Sequence, residues 1–165
     1  RGPEPDLAGS RRALDEGEWA TMSATQRGKV LFRLADLVEE HSERLGSVET
    51  TDSGKLAVET RGQSAYVAEY YRYYGGLADK IQGATLPMDK PDLHVYTLRE
   101  PIGVVAGVVP WNAEMLLTGT KAAPALAAVG RVLVQAHGRI RELLIVIVEV
   151  FAAQCHRLGG QSRYS

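Results

Sequence analysis

The sequence predicts an α/β protein in which helices come first, a β-hairpin arm follows, and one βαβ unit of a parallel sheet closes the readable part. Three observations carry this. Apolar residues recur at helical spacing through Val30–Val38, the pattern changes to turn residues and alternation after Gly83, and a Pro-bounded β-branched run leads into a small-residue helix and a second short strand.

The elements can be justified in order. Ser23 and Gln26 form an S-x-x-Q capping box, which places a helix start just after Met22. Val30, Leu31, Leu34, Leu37 and Val38 give that helix its apolar face, with Arg33, Asp36, Glu39 and Glu40 opposite. A second helix covers Ser42 to Thr51 and ends at Asp52–Gly54. A third runs from about Leu56 to Asp79 and carries Tyr66, Tyr70, Tyr71, Tyr73 and Tyr74. The tyrosines could form a stacking platform for single-stranded nucleic acid. Few basic residues accompany them, and they fall largely on one helix side, which fits packing against a neighbouring helix or subunit.

Beyond Gly83, turn residues at Pro87, Asp89, Pro91 and Asp92 precede alternation through Val95–Leu98, the pattern of a hairpin or strand pair. Gly103–Val109 reads as a strand buried on both faces, Met115–Ala128 as a helix and Val132–Val134 as a strand. Strand, helix, strand in that order implies parallel pairing. Arg139 to about Gln154 is helix-length, yet its centre, "LLIVIVEV", is β-branched enough for a strand. One βαβ unit leaves sheet edges unpaired, so the isolated chain is expected to be marginally stable or to associate.

Composition narrows the partners. The net charge of −1 arises from mixed signs without a basic block, which argues against nucleic acid and against an anionic membrane surface. Leu143–Val148, the longest apolar run, is too short to span a bilayer. Cys155 is the only cysteine, so no internal disulfide can form, and a reducing, cytoplasmic setting is expected. His41, His94, His137 and His156 give no metal-ligand spacing, and no glycine-rich nucleotide fingerprint or Walker lysine is present.

The chemistry concentrates after the Gly103–Val109 strand, in "VPWNAE". Ligands of open parallel sheets bind at the carboxyl ends of strands, and Asn112 lies there. Its side-chain amide could donate to a developing oxyanion, with Pro110 and Trp111 stiffening the turn. From spacing alone the favoured reading is that Asn112 caps the helix opening at Ala113 or Glu114. The two roles are compatible, because a cap also fixes the side chain. Lys121 follows nine residues later, inside the helix.

Four stretches, "ERLGSVETTDSGK", "YYGGLADKIQGATLP", "REPIGVVAGVVPWN" and "KAAPALAA", together resemble the N-terminal part of the aldehyde dehydrogenase superfamily, in its order and at its spacing. The resemblance runs from about Arg11 to Ala128. It implies a truncated aldehyde dehydrogenase fold: a single partial domain over residues 1–165, the start of a Rossmann-like NAD-binding domain, diverging over 129–165. It implies an aldehyde substrate, NAD or NADP as cofactor, and homo- or hetero-oligomers formed through the arm around Pro87–Leu98. Asn112 matches the side-chain half of the oxyanion hole, and Lys121 a lysine assigned to proton relay. Val109 and Trp111 match positions whose backbone approaches the nicotinamide.

The chain also departs from the family. Glu114 stands where a proline is usual. Gln135 takes the place of the lysine that contacts the adenosine ribose, and Gly138 that of the glutamate that completes the contact. The family's nucleophilic cysteine and general-base glutamate lie well downstream of the resembling segment. Cys155, in "AAQCHRLGG", lacks the family's Gly-Gln-x-Cys context. The chain alone is therefore expected to be inactive. Two other expectations stay open, an interaction protein pairing with a full-length relative through its arm, and a degenerate remnant.

Overall fold

The computed structural model describes residues 16–128 and 131–135. A short helix α1 (Glu18–Thr21) leads into α2 (Ala24–Glu40), α3 (Ser42–Ser53) and α4 (Ala57–Leu77). Two short strands, β1 (Thr85–Leu86) and β2 (Val95–Tyr96), form the arm. Strand β3 (Val104–Val108), helix α5 (Glu114–Ala127) and strand β4 (Arg131–Gln135) follow. The expected segment Arg139–Gln154 and Cys155 lie outside the described residues.

Local signals explain the helix boundaries. Ser23 Oγ accepts from the Gln26 N–H at 3.3 Å while Gln26 Oε1 accepts from the Ser23 N–H at 3.1 Å, so both halves of the capping box form. Gly54 ends α3 with φ 73°, a left-handed position that glycine occupies without steric cost, and its N–H closes on the Thr50 carbonyl at 2.9 Å.

Helix α4 is the hub, packing on α2, α3 and α5. Leu31, Leu34, Ala35 and Val38 of α2 meet Val67, Ala68 and Tyr71 of α4, while Met115, Ala122, Ala123 and Ala127 of α5 complete one core. The helices approach closely where side chains are missing. A methyl group at Gly28 would lie 2.6 Å from the Gly75 carbonyl oxygen, and one at Gly119 would lie 2.9 Å from Val67 Cγ1. At either position an added methyl group would force the neighbouring helix or side chain to shift.

The tyrosines do not share one environment. Tyr71 is in the core, Tyr70 and Tyr74 pack on its edge, and Tyr66 and Tyr73 are exposed. They pair edge-to-face as Tyr66–Tyr70 and Tyr73–Tyr74, with centroids 5.4 and 5.1 Å apart. Packing on neighbouring helices thus accounts for Tyr70, Tyr71 and Tyr74, but not for the outer two.

Strands β1 and β2 pair antiparallel, Thr85 opposite Tyr96 and Leu86 opposite Val95. Strands β3 and β4 pair parallel, from Val104 opposite Arg131 to Val108 opposite Gln135. With α5 between them they form the expected βαβ unit. Strand β3 is not buried on both faces, however: Ala106 and Val108 are exposed. Among the described residues it pairs with β4 alone, so one edge and part of its surface stay open.

Candidate functional site

The register of the parallel pair decides where the candidate residues gather. Because Val108 pairs with Gln135, β3 and β4 end side by side, and the residues that follow β3 project beyond that common end. Val109 is buried at 3% exposure and anchors the exit of the strand. Pro110, Trp111 and Asn112 then turn outward, all three exposed, before α5 begins. This is the crevice position at which parallel sheets bind ligands.

Asn112 does not cap α5. The cap residue is Ala113, with φ −159° and ψ 54°, and no side chain satisfies the helix start. The turn at Trp111–Asn112 consumes the residue that spacing offered as a cap, so the Asn112 amide is left exposed past the strand end. Among the described residues it has no hydrogen-bond partner. An uncommitted donor at this place can meet a ligand oxygen.

Lys121 is half-buried on α5. Seven residues after Glu114, it lies about 10 Å further along the axis on the same helix side, since seven residues make almost two turns. Val109, Trp111, Asn112 and Gln135 therefore cluster at the sheet end, and Lys121 stands back along the helix that leaves it.

The site also contains a group that sequence spacing did not single out for chemistry. Glu114, in the first turn of α5, is 1% exposed, and neither carboxyl oxygen has a partner among the described residues. Burial first, then the charges of Asp52 and Glu49, push its pKa up to about 7. The signal was present in the sequence: Glu114 shares the helix side of Thr118 and Lys121 in a segment whose other inward positions are Met, Gly and Ala.

The exposed Trp111–Asn112 turn past the last ladder pair would suit the carboxamide-bearing ring of a dinucleotide. Gln135 is described by its backbone pairing with Val108, and Gly138 lies outside the described residues.

Comparison with known proteins places this arrangement. The aldehyde dehydrogenase family model matches residues 7–154. The chain belongs to the aldehyde dehydrogenase family. It is 55% identical over 119 residues to (Z)-2-((N-methylformamido)methylene)-5-hydroxybutyrolactone dehydrogenase of Acinetobacter baylyi, covering 72% of this chain and 24% of that protein. It is 38% identical over 142 residues to betaine aldehyde dehydrogenase of Bacillus subtilis, covering 86% of this chain and 29% of that protein. Among solved aldehyde dehydrogenases, one from Burkholderia cenocepacia superposes with a TM-score of 0.82 at 36% identity, over 88% of this chain and 30% of its own. A Staphylococcus aureus betaine aldehyde dehydrogenase solved with NAD+ gives a TM-score of 0.81 at 32% identity, with the same coverage. The chain thus spans about a quarter of the length of the curated relatives it matches, and its fold is the corresponding part of the aldehyde dehydrogenase fold.

Proposed function

We propose that this chain supplies the oxyanion donor and the nicotinamide-side floor of an NAD(P)-dependent aldehyde dehydrogenase acting in the cytoplasm. The single observation that carries the reading is the exposed, uncommitted Asn112 amide past the common end of β3 and β4. When a nucleophile attacks an aldehyde carbonyl, negative charge collects on its oxygen. A fixed Asn112 N–H stabilises that charge more than it stabilises the neutral carbonyl, and only such a difference lowers the barrier. Val109 anchors the turn, Trp111 and Val109 would border the nicotinamide, and Lys121 would serve as the proton relay. Bound cofactor would supply the hydride acceptor.

The 165-residue chain by itself is expected not to oxidise aldehydes, since an oxyanion donor acts only after attack on the carbonyl. The test uses a chimera in which this chain, up to Ala128, replaces the matching segment of the Bacillus subtilis betaine aldehyde dehydrogenase. The chimera should reduce NAD+ with aldehydes while the chain alone does not. A folded but inactive chimera, or turnover by the chain alone that Cys155→Ser abolishes, would contradict the reading.

The arm favours a second reading. Leu86, Met88, Leu93, Tyr96, Leu98 and Ile102 are exposed apolar residues on or beside β1 and β2, more than an isolated surface needs. Under this reading the chain pairs with a full-length relative through the arm. Native mass spectrometry of the mixture should then show a heteromer that Leu86→Lys with Tyr96→Lys disperses. If neither turnover nor pairing is seen, the degenerate remnant stands.

A further inference from the structure

The junction of α3 and α5 holds acids that the candidate site does not use. Glu114 sits two residues after Asn112 with a buried, unpartnered carboxyl. Glu49 of α3 is 0% exposed, and both of its oxygens are unpartnered as well. Lys55 Nζ comes only within 4.0 Å of Glu49 Oε1 and donates instead to Gln63 Oε1 at 2.5 Å. The two helices touch, and Asp52, one turn from Glu49, adds a third acid whose field reaches Glu114. Thr118, one turn on from Glu114, is buried with its hydroxyl unpartnered.

A carboxylate buried without a donor is far costlier than a neutral carboxyl, and neighbouring acids do not all ionise in such a place. Among the described residues, no group of three His, Cys, Asp or Glu side chains is arranged to hold a metal ion. A proton on Glu114 removes that cost. We propose that Glu114 is a positioning residue for Asn112: its neutral carboxyl, buried where α5 meets α3, keeps the first turn of α5 seated, and its ionisation unseats that turn together with the Asn112 amide.

The charges that act on Glu114 come from α3, Asp52 before Glu49, and both oppose its ionisation. Lys55, in the loop after α3, acts on Glu49 and partly offsets the effect of burial there. Strand β3 carries no ionisable residue. Among the described residues no charge of α2 or α4 acts on Glu114. The functional consequence of that ionisation rests on Asn112 being the oxyanion donor; the structural event does not.

The test is hydrogen exchange in the 165-residue chain at pH 5.5 and 7.5, corrected for the intrinsic pH dependence of exchange. The amides to follow are Leu117, whose N–H donates to the Ala113 carbonyl at 2.9 Å, and Thr118. Opening of this turn should rise roughly tenfold between the two pH values, because the closed state keeps a proton that the open state releases. Amides of α2 should not follow, and Glu114→Gln should remove the dependence. Equal opening at both pH values, or the same dependence in Glu114→Gln, would overturn the proposal. If the variant does not fold, carbon-13 NMR titration of the Glu114 carboxyl in the unaltered chain decides. A midpoint near neutrality agrees, and one in the ordinary carboxylate range contradicts. Neither readout uses activity, so a chain that fails as an enzyme can still pass, and an Asn112-dependent chimera can coexist with failure here.

Discussion

The crossing of α2 with α4 and the junction of α3 with α5 handle polar groups in different ways. At the first, the core is apolar, and the one buried charge, the Arg27 guanidinium near the start of α2, donates to the Met22 carbonyl, though its Nε has no partner among the described residues. Arg72 of α4 bonds to Glu69 on its own helix and to Asp36 and Glu39 on α2 across the exposed rim. At the second, the side-chain oxygens of Glu49, Glu114 and Thr118 are buried without hydrogen bonds among the described residues, and Glu49 has only the distant ion pair to Lys55 at 4.0 Å. Sequences that specify one fold satisfy buried polar groups nearly everywhere, and exceptions collect at functional positions. The first crossing is scaffold. The second adjoins Asn112, the proposed oxyanion donor, and its carboxyls make no hydrogen bonds among the described residues.

The comparison can be broken first at the scaffold. Leu31→Ala removes a fully buried side chain at the centre of the α2–α4 contact and should cost about 2–5 kcal/mol in urea unfolding. A loss well below that range would mean the crossing is loosely packed. At the acid junction the effect should have the opposite sign. The folded-state pKa of Glu114 lies above its unfolded value, at about 7, so the folded chain holds a proton that the unfolded chain has released. Stability should fall as pH rises from about 4.5 to about 7, by roughly 2–3 kcal/mol. Glu114→Gln should flatten that fall and stabilise the chain at pH 8, and thermal unfolding from pH 5 to 8 measures both.

Two smaller effects sharpen the contrast. Gly28→Ala forces a methyl group against the Gly75 carbonyl and should destabilise by about 1–3 kcal/mol through overpacking. Calorimetry showing a stabilised variant would mean that the helices separate easily. Arg72→Ala should cost less than about 1 kcal/mol, because its ion pairs lie at the exposed rim. A larger loss in urea unfolding would show that the network holds the crossing rather than decorating it.

Much of the scaffold was legible in the sequence because its determinants are local. The capping box at Ser23 and Gln26, the left-handed Gly54, and the apolar spacing of Val30, Leu31, Leu34 and Val38 each act within a turn or two. The parallel pairing of β3 and β4 was readable from strand, helix, strand order. What failed depends on neighbours distant in sequence. Tyr66 and Tyr70 have the same residue type and differ in burial because only one faces α4's packing partners. The half-open surface of β3 reflects its pairing with β4 alone among the described residues, which a run of Val and Gly cannot reveal. Asn112 and Ala113 are adjacent, and the turn geometry chose Ala113 as the cap. Glu114 stood in the sequence as a helix-start residue, and its burial in the first turn of α5 comes from the packing of that helix.

The central claim is that Asn112 donates to the oxyanion, and the most direct measurement compares Asn112→Ala with the unaltered residue in the chimera. The account expects kcat to fall about 10²–10³-fold with KM nearly unchanged, since the lost hydrogen bond strengthens only as charge develops on the carbonyl oxygen. A kcat within about threefold of the unaltered chimera, or a loss confined to KM, would contradict it and leave Asn112 a turn residue without a part in the chemistry.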